Sequence, residues 1–467
     1  MATLTFHGAA QEVTGSCHLL QSPGIGRVLL DCGMHQGGDA VERIQDEVFP
    51  FDPASIDAVI LSHAHLDHSG LLPKLYHEGF RGALICTTAT AELLDVMLHD
   101  SVGLYLRDLE RTNTRNARRG RPLIEPVFDM DDVAGVLGLC QGHRYGEAIA
   151  LEAGAVVCFR DAGHILGSSI VEVTLQEKGE EKTLVFSGDL GKQDSVLMNE
   201  PTVVHKADVL LVESTYGDRE HRGEEDSMSQ LRDILRDTWK RGGSVMIPAF
   251  AVGRTQDILF HLGCLHHHGE LDNWEVLLDS PMAIAVTRVY DRWLEMLDGD
   301  EVRQLSEAHK ASLETFLPTL NLAIETEESM AINRIKSGAI IIAGSGMCTG
   351  GRIRHHFKRR IWDDRNTIIF TGYQARGTLG RVIVDGAQTI KMFGDDYVVK
   401  AQVETLGGLS AHAGQTGLVD WITAFRPAPR TILVHGEARA QDGLADRLWK
   451  EHELKVEIPA RGDSIVF

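Results

Sequence analysis

The sequence predicts an α/β protein built from more than one domain. Short β-rich runs ending in small or polar residues alternate with helical patterns along the chain. Between about residues 210 and 395 the texture changes to a second alternation that suits a sheet of parallel strands. At 61–70 the chain reads LSHAHLDHSG, so that four side chains able to bind a metal, His63, His65, Asp67 and His68, fall within six residues.

Length and composition fit that class. The 467 residues exceed one ordinary domain of ~100–200 residues. A hydrophobic fraction of 43% and a charged fraction of 24% are those of a soluble globular protein. No apolar run reaches the ~18–20 residues of a membrane span, and the start MATLTFHGAAQEV lacks the pattern of a signal peptide, so a cytoplasmic protein is expected. The seven Cys are scattered without a C-x-x-C pair, which argues against a disulfide framework or a Cys-rich zinc knuckle. The net charge of −21 argues against coating nucleic acid by bulk charge but leaves room for a local basic groove.

Taken in order, RVLLDCG, DAVILSHAH, KTLVFSGDL and ADVLLVEST each read as a buried strand opening into a loop. AELLDVMLHD and DSMSQLRDILRDTWKRG read as helices, the latter stopped by Lys-Arg-Gly. GSVMIPAFAVGRTQDIL, WEVLLDSPMA, GAIIIAGSGM and NTIIFTGYQARGTLG form the second alternation. No flexible linker marks its ends, which suits an insertion into a host domain. The expected division is 1–209 and 395–467 for the host and 210–394 for the insert.

In DAVILSHAHLDHSG a strand leads into a turn. His63 and His65, two apart, can face one metal from an extended segment, and Asp67 and His68 follow as the chain turns. Imidazole with carboxylate suits zinc and its neighbours better than calcium or magnesium. One stretch can hardly wrap a single ion with all four groups, so two ions are expected, with further ligands from elsewhere. GHILGSS offers His164, VFSGDLG offers Asp189 and LVHGE offers His435. Asp189 can bridge two cations, as a carboxylate can and a His cannot readily. Asp31, in VLLDCG, can fix a His tautomer from behind.

This series resembles the metallo-β-lactamase superfamily: Asp31, then H-x-H-x-D-H, His164, Asp189 and a last His in the family's order. VESTYGDREH with Glu213, LSAHAGQ with His412 and LVHGE with His435 resemble the three extra motifs of its β-CASP nucleases, and LLDSPMAIAVTRVY, AGSGMCTGGR and GYQARGTLG resemble their inserted domain. The resemblance implies an αββα sandwich carrying an inserted β-CASP α/β domain. It is nearest the RNA-cleaving branch, which includes the nuclease of the cleavage and polyadenylation specificity factor and its bacterial and archaeal relatives. Gly414 departs from the pattern, since many members carry Asp there.

The function implied is hydrolysis of phosphodiester bonds in single-stranded RNA, mainly endonucleolytic, by a hydroxide that two Zn2+ ions activate. His412, oriented by Glu213, is the expected general acid, and Asp67 and Asp189 complete the catalytic set. RIRHHFKRR at 352–360 and RTNTRNARRGRP at 111–122 each hold five Lys or Arg and no acid, and offer charge to phosphates. Ser345, Arg352, His355, Tyr373 and Gln374 are the candidate substrate contacts. A homodimer is the expected assembly. The alternatives are a DNA nuclease, a small-ester hydrolase of the same fold, or a non-catalytic RNA-processing subunit. An inserted domain roofing the site opposes a small substrate, and the intact ligand set opposes a subunit without chemistry.

Overall fold

The computed structural model describes residues 1–35, 40–151, 154–177, 179–193, 195–221, 223–294 and 312–467. The chain forms two compact units. One joins Met1–Gln193, Asn199–Glu220 and His412–Phe467; the other is His221–Ala411 with a short stretch before Asn199.

The first unit contains two seven-stranded sheets. One runs, edge to edge, Ser464–Val466, Thr3–Phe6, His18–Ser22, Gly26–Leu30, Ala58–Ile60, Ala83–Thr87 and Cys140–His143. The other runs Val456–Glu457, Arg430–Val434, Val209–Glu213, Glu180–Phe186, Ser169–Glu177, Val156–Asp161 and Ile149–Ala150. Side chains alternate across each sheet, and both faces are apolar. Leu30, Ile60 and Ile85 of the first sheet share a core with Phe159, Phe186, Leu211 and Val434 of the second. On the first sheet's other face, Leu29, Val59 and Leu61 pack with Leu94, Leu98 and Tyr105 of the helix Thr88–Arg118. On the second sheet's other face, Val185, Leu210 and Leu433 pack with Leu418 and Trp421 of Gln415–Ile422 and with Leu444 and Leu448 of Ala438–His452. The alternation therefore produces four layers, helix–sheet–sheet–helix, as the resemblance implies.

The second unit has a six-stranded sheet in the order Leu320–Leu322, Glu275–Asp279, Ala339–Ala343, Val245–Pro248, Thr367–Phe370 and Gln402–Thr405. Every pairing is parallel, and the near-continuous apolar runs AIIIA, VMIP and TIIF are what a sheet covered on both faces needs. The boundary expected at 210 falls inside the strand Val209–Glu213, which pairs on both sides within the first unit. The boundary expected at 394 falls in the turn between Thr389–Met392 and Asp395–Val398, which form one hairpin. No helix among the described residues is long and apolar enough to cross a membrane.

One buried ion cluster braces the second unit. Asp279, at the end of its strand and fully buried, accepts from Arg352 Nη1 at 2.8 Å, His356 Nε2 at 2.6 Å and Ser329 Oγ at 2.8 Å. Burial pushes the Asp279 carboxyl up, but His356 and Arg352 outweigh it and hold it below its usual 3.8. The stabilisation is therefore present above pH 3.8 and lost as pH falls through the lowered value. Asp279→Ala strands the buried His356 and removes one partner of the half-buried Arg352, and should cost about 3 kcal/mol. Urea unfolding followed by tryptophan fluorescence at pH 7 measures this; a loss below about 1 kcal/mol, the scale of exposed pairs, contradicts the bracing role.

Candidate active site

The metal-ligating candidates all lie in the first unit, on loops at strand ends. The strand Ala58–Ile60 delivers His63 and His65, and a one-turn helix, Leu66–Ser69, then carries Asp67 and His68. The backbone latches this segment: Cys32 N–H donates to the His68 carbonyl, Met34 N–H to Leu66 and Ser16 N–H to Asp67, each at 2.8 Å. The chain passes so close that a Cβ on Gly33 would stand 1.6 Å from the Asp67 carbonyl oxygen, which explains the glycine. Asp189 follows the strand Glu180–Phe186 by way of Gly188, whose φ of +54° suits glycine and whose missing Cβ leaves room for Ser62.

Two groups of side chains meet around Asp189, and a third set, Asp189, Glu213 and His435, overlaps them. His63, His65, His164 and Asp189 offer one ligand atom each within 4.8 Å of one another, and Asp67, His68 and His435 do the same. His63 Nε2 lies 3.1 Å from His65 Nδ1, and His164 Nε2 lies 3.3 Å from the same atom. Asp189 Oδ2 stands 3.5 Å from His63 Nε2 and 3.6 Å from His164 Nε2. Its Oδ1 stands 3.3 Å from His68 Nε2, which lies 3.1 Å from His435 Nε2. The Asp67 carboxylate lies 3.9 Å from His435 Nε2. The two oxygens of Asp189 thus serve the two groups separately.

Cations fit this set. Ring nitrogens aimed at one another cannot all be donors, and Asp189 Oδ1 is buried without a hydrogen-bond donor among the described residues. Such a cluster is costly unless something positive accepts its lone pairs. Burial keeps His63 and His65 below the ordinary His value, hence neutral and able to ligate. Burial opposes charge on His68 too, but Asp189 and Asp31 outweigh it and raise this ring. Burial pushes the Asp189 carboxyl up, but His435, His68 and His412 outweigh it and hold it well below its usual value.

Surrounding groups fix the ring orientations. Asp31, fully buried at φ +63°, accepts from His68 Nδ1 at 2.6 Å, so that Nε2 faces Asp189. Ser16 Oγ, Ser62 N–H and Ser62 Oγ also donate to Asp31. Ser62 Oγ lies 3.0 Å from His63 Nδ1, and Thr215 Oγ1 lies 3.2 Å from His435 Nδ1. Ser62 and Thr215 escaped the sequence reading, although Ser62 adjoins His63 and Thr215 lies two positions after Glu213.

Glu213, fully buried at the end of its strand, accepts from Leu190 N–H at 2.7 Å, Thr215 N–H at 3.2 Å and His412 Nδ1 at 3.1 Å. His412 is pinned to the same loop as Asp189, since Ala413 N–H donates to the Leu190 carbonyl at 2.8 Å. Burial disfavours charge on His412, yet the Glu213 and Asp189 carboxylates hold its pKa up to about 9.

Comparison with known proteins matches the metallo-beta-lactamase superfamily over residues 10–159, the Beta-Casp domain over 255–383 and a Zn-dependent metallo-hydrolase RNA specificity domain over 396–459. The chain is 41% identical to Ribonuclease TTHA0252 of Thermus thermophilus, over 92% of both chains. The chain belongs to the β-CASP family of the metallo-β-lactamase superfamily. It is also 30% identical to Transcription termination factor FttA of Methanothermobacter thermautotrophicus, over 99% of this chain and 71% of that protein, and 29% identical to an RNase J-like protein of Methanocaldococcus jannaschii, over 99% of each. As a β-CASP protein it is a metal-dependent hydrolase of nuclease type.

The five candidate substrate contacts lie in the second unit of this β-CASP chain. Ser345 follows the strand Ala339–Ala343, and its Oγ accepts from Gly350 N–H at 3.3 Å. Tyr373 and Gln374 follow Thr367–Phe370; Gln374 is buried and donates to the Gly346 and Gly372 carbonyls. Arg352 spends its guanidinium on Asp279 and on the Ala323 and Ile324 carbonyls. His355 is exposed on the helix Ile353–Arg360. Arg111, Arg115 and Arg118 of the other basic run are exposed on the last turns of Thr88–Arg118.

Asp31→Asn keeps the shape but loses the negative charge behind His68. Metal affinity should fall about 10–100-fold. Chelator competition measures it; unchanged affinity would show that Asp31 only closes the turn.

Proposed function

We propose that the chain is a zinc-dependent ribonuclease that cuts single-stranded RNA, mainly endonucleolytically. The observation that carries this reading is the joint anchoring of Asp189 and the His412–Glu213 pair on one loop, which sets a proton donor beside two metal-binding groups. We assign the host fold to 1–193, 199–220 and 412–467 and the insert to 221–411, following the compact units.

His63, His65, His164 and Asp189 Oδ2 would hold one zinc ion, and Asp67, His68, His435 and Asp189 Oδ1 the other. Bound there, the two cations supply Lewis acidity to the phosphate and to an attacking water. The protein's own groups do the rest. His412 donates through Nδ1 to Glu213, so Nε2 carries the proton free to leave. A donor with a raised pKa is protonated at neutral pH, as a general acid must be. That proton goes to the departing 3′-oxygen, and the products are a 3′-hydroxyl and a 5′-phosphate. Glu213, held by three donors, keeps the imidazole aimed and balances its charge. RNA as substrate is supported by the ribonuclease among the relatives and by the matched RNA specificity domain.

Two substitutions test the division of labour. Asp189→Ala should abolish cleavage of 5′-labelled single-stranded RNA and lower zinc content while the circular dichroism stays native; wild-type cleavage would refute the two-metal assignment. His412→Ala should keep both zinc ions and lose about 10²–10⁴-fold in kcat. Zinc loss in that variant would instead make His412 a ligand. Matched DNA, tested beside the RNA, decides between the two nucleic acids.

A further inference from the structure

We propose that Phe393 is a base-stacking platform for single-stranded RNA on the inserted unit, flanked by phosphate-binding charge from Arg354 and Lys358. This deepens the ribonuclease reading and rests on it.

The strands Thr389–Met392 and Asp395–Val398 form an antiparallel hairpin in which Met392 pairs with Asp395. Its loop is two residues, Phe393 at φ +53° and Gly394 at φ +92°. A tight turn with positive φ at both positions favours Asn-Gly or Asp-Gly. Gly394 meets that demand. Phe393 does not, because a Cβ crowds the backbone in the left-handed region. The ring does not recover the loss by burial, since 46% of the residue stays exposed.

The ring meets a cationic face instead. The helix Ile353–Arg360 turns Ile353 and Phe357 into the core and ties His356 to Asp279. Its outward residues close on Phe393. The His355 ring lies 4.8 Å away, centroid to centroid, at 35°. Arg354 Cζ is 5.0 Å and Lys358 Nζ 5.6 Å from the ring centroid. Arg354 is also steadied by the Thr349 carbonyl in the Gly-rich loop. A part-exposed aromatic ring beside cations is the combination that holds unpaired bases and their phosphates, and it tolerates any sequence. Asp395 and Asp396, both exposed, follow the turn and oppose a phosphate, so the ring and its immediate cations must supply the attraction.

The turn chemistry makes the test clean. Phe393→Asn installs the residue the turn prefers, so the zinc-loaded full chain should keep or raise its Tm. Its KM for a 20-nucleotide single-stranded RNA should rise about tenfold with kcat within twofold. Turnover of bis(p-nitrophenyl) phosphate, which has no base to stack between phosphates, should not change. Phe393→Trp should restore the low KM. Lys358→Ala should flatten the dependence of log KM on log salt by about 0.7, whereas Phe393→Asn should leave that slope alone. If the wild type cuts RNA and Phe393→Asn leaves KM unchanged, the subsite is overturned and the ribonuclease reading stands. A fall in Tm with equal losses on both substrates also overturns it, by making the ring structural. If the wild type hydrolyses the small diester but neither binds nor cuts RNA, both readings fall together.

Discussion

The first unit is organised around a group that cannot be buried alone. Asp189 is 3% exposed and ringed by imidazoles whose nitrogens point at it and at one another. Such convergence is tolerable only with cations among the lone pairs, and only if each ring holds one orientation. The supporting hydrogen bonds meet that second demand. Asp31 turns His68, Ser62 turns His63, and Thr215 turns His435. The residues that do so lie at or just beyond strand ends in two facing sheets, so the sandwich core sets where the metal groups can be. Packing and chemistry are joined here, since a shift of either sheet would move one half of the ligand set against the other.

Glu213 extends the same logic to catalysis. It stands at the end of a strand paired on both sides, one residue before the turn that places Ser214 and Thr215. Its oxygens accept from two backbone amides and from His412, which leaves it no freedom to rotate. A carboxylate so held can orient an imidazole without swinging toward a cation. On the proposed assignment, Asp67 and Asp189 would serve metal and Glu213 the proton donor, and Leu190 ties Glu213 to the neighbour of Asp189 although 23 positions separate Leu190 from Glu213 along the chain.

What the sequence revealed depended on how local each signal is. H-x-H-x-D-H is legible because its four groups sit on one turn of chain. The apolar runs foretold the strands and the parallel sheet of the second unit, since the inward face of each strand is written in its own residues. Partners far along the chain left no such mark. Nothing around Arg352 shows that its guanidinium is taken by Asp279, 73 residues earlier, and by two carbonyls. A strand at 209–213 shows the same limit: it looks alike whichever sheet it joins, and only its pairing with Arg430–Val434 decides. Phe393 was passed over because an exposed aromatic is ordinary in a sequence. Its positive φ and its cationic neighbours exist only in three dimensions.

The basic run at 352–360 shows how an acidic protein can still address a polyanion. Of its five cations, Arg352 and Arg360 are structural; Arg360 is buried and donates to the Ile332 and Ile335 carbonyls. Arg354, Lys358 and Arg359 remain on the outward side of the helix, with His355 among them. Three cations cannot offset a net charge of −21 at long range, and beyond about 8 Å physiological salt screens them anyway. Attraction by field alone would therefore be weak and strongly salt-dependent. Contact forces escape that limit, because stacking on a ring works at van der Waals distance and needs no net charge. On the proposed reading, an overall negative surface would discourage unspecific adhesion of RNA and leave binding to the place where Phe393 and its cations stand together.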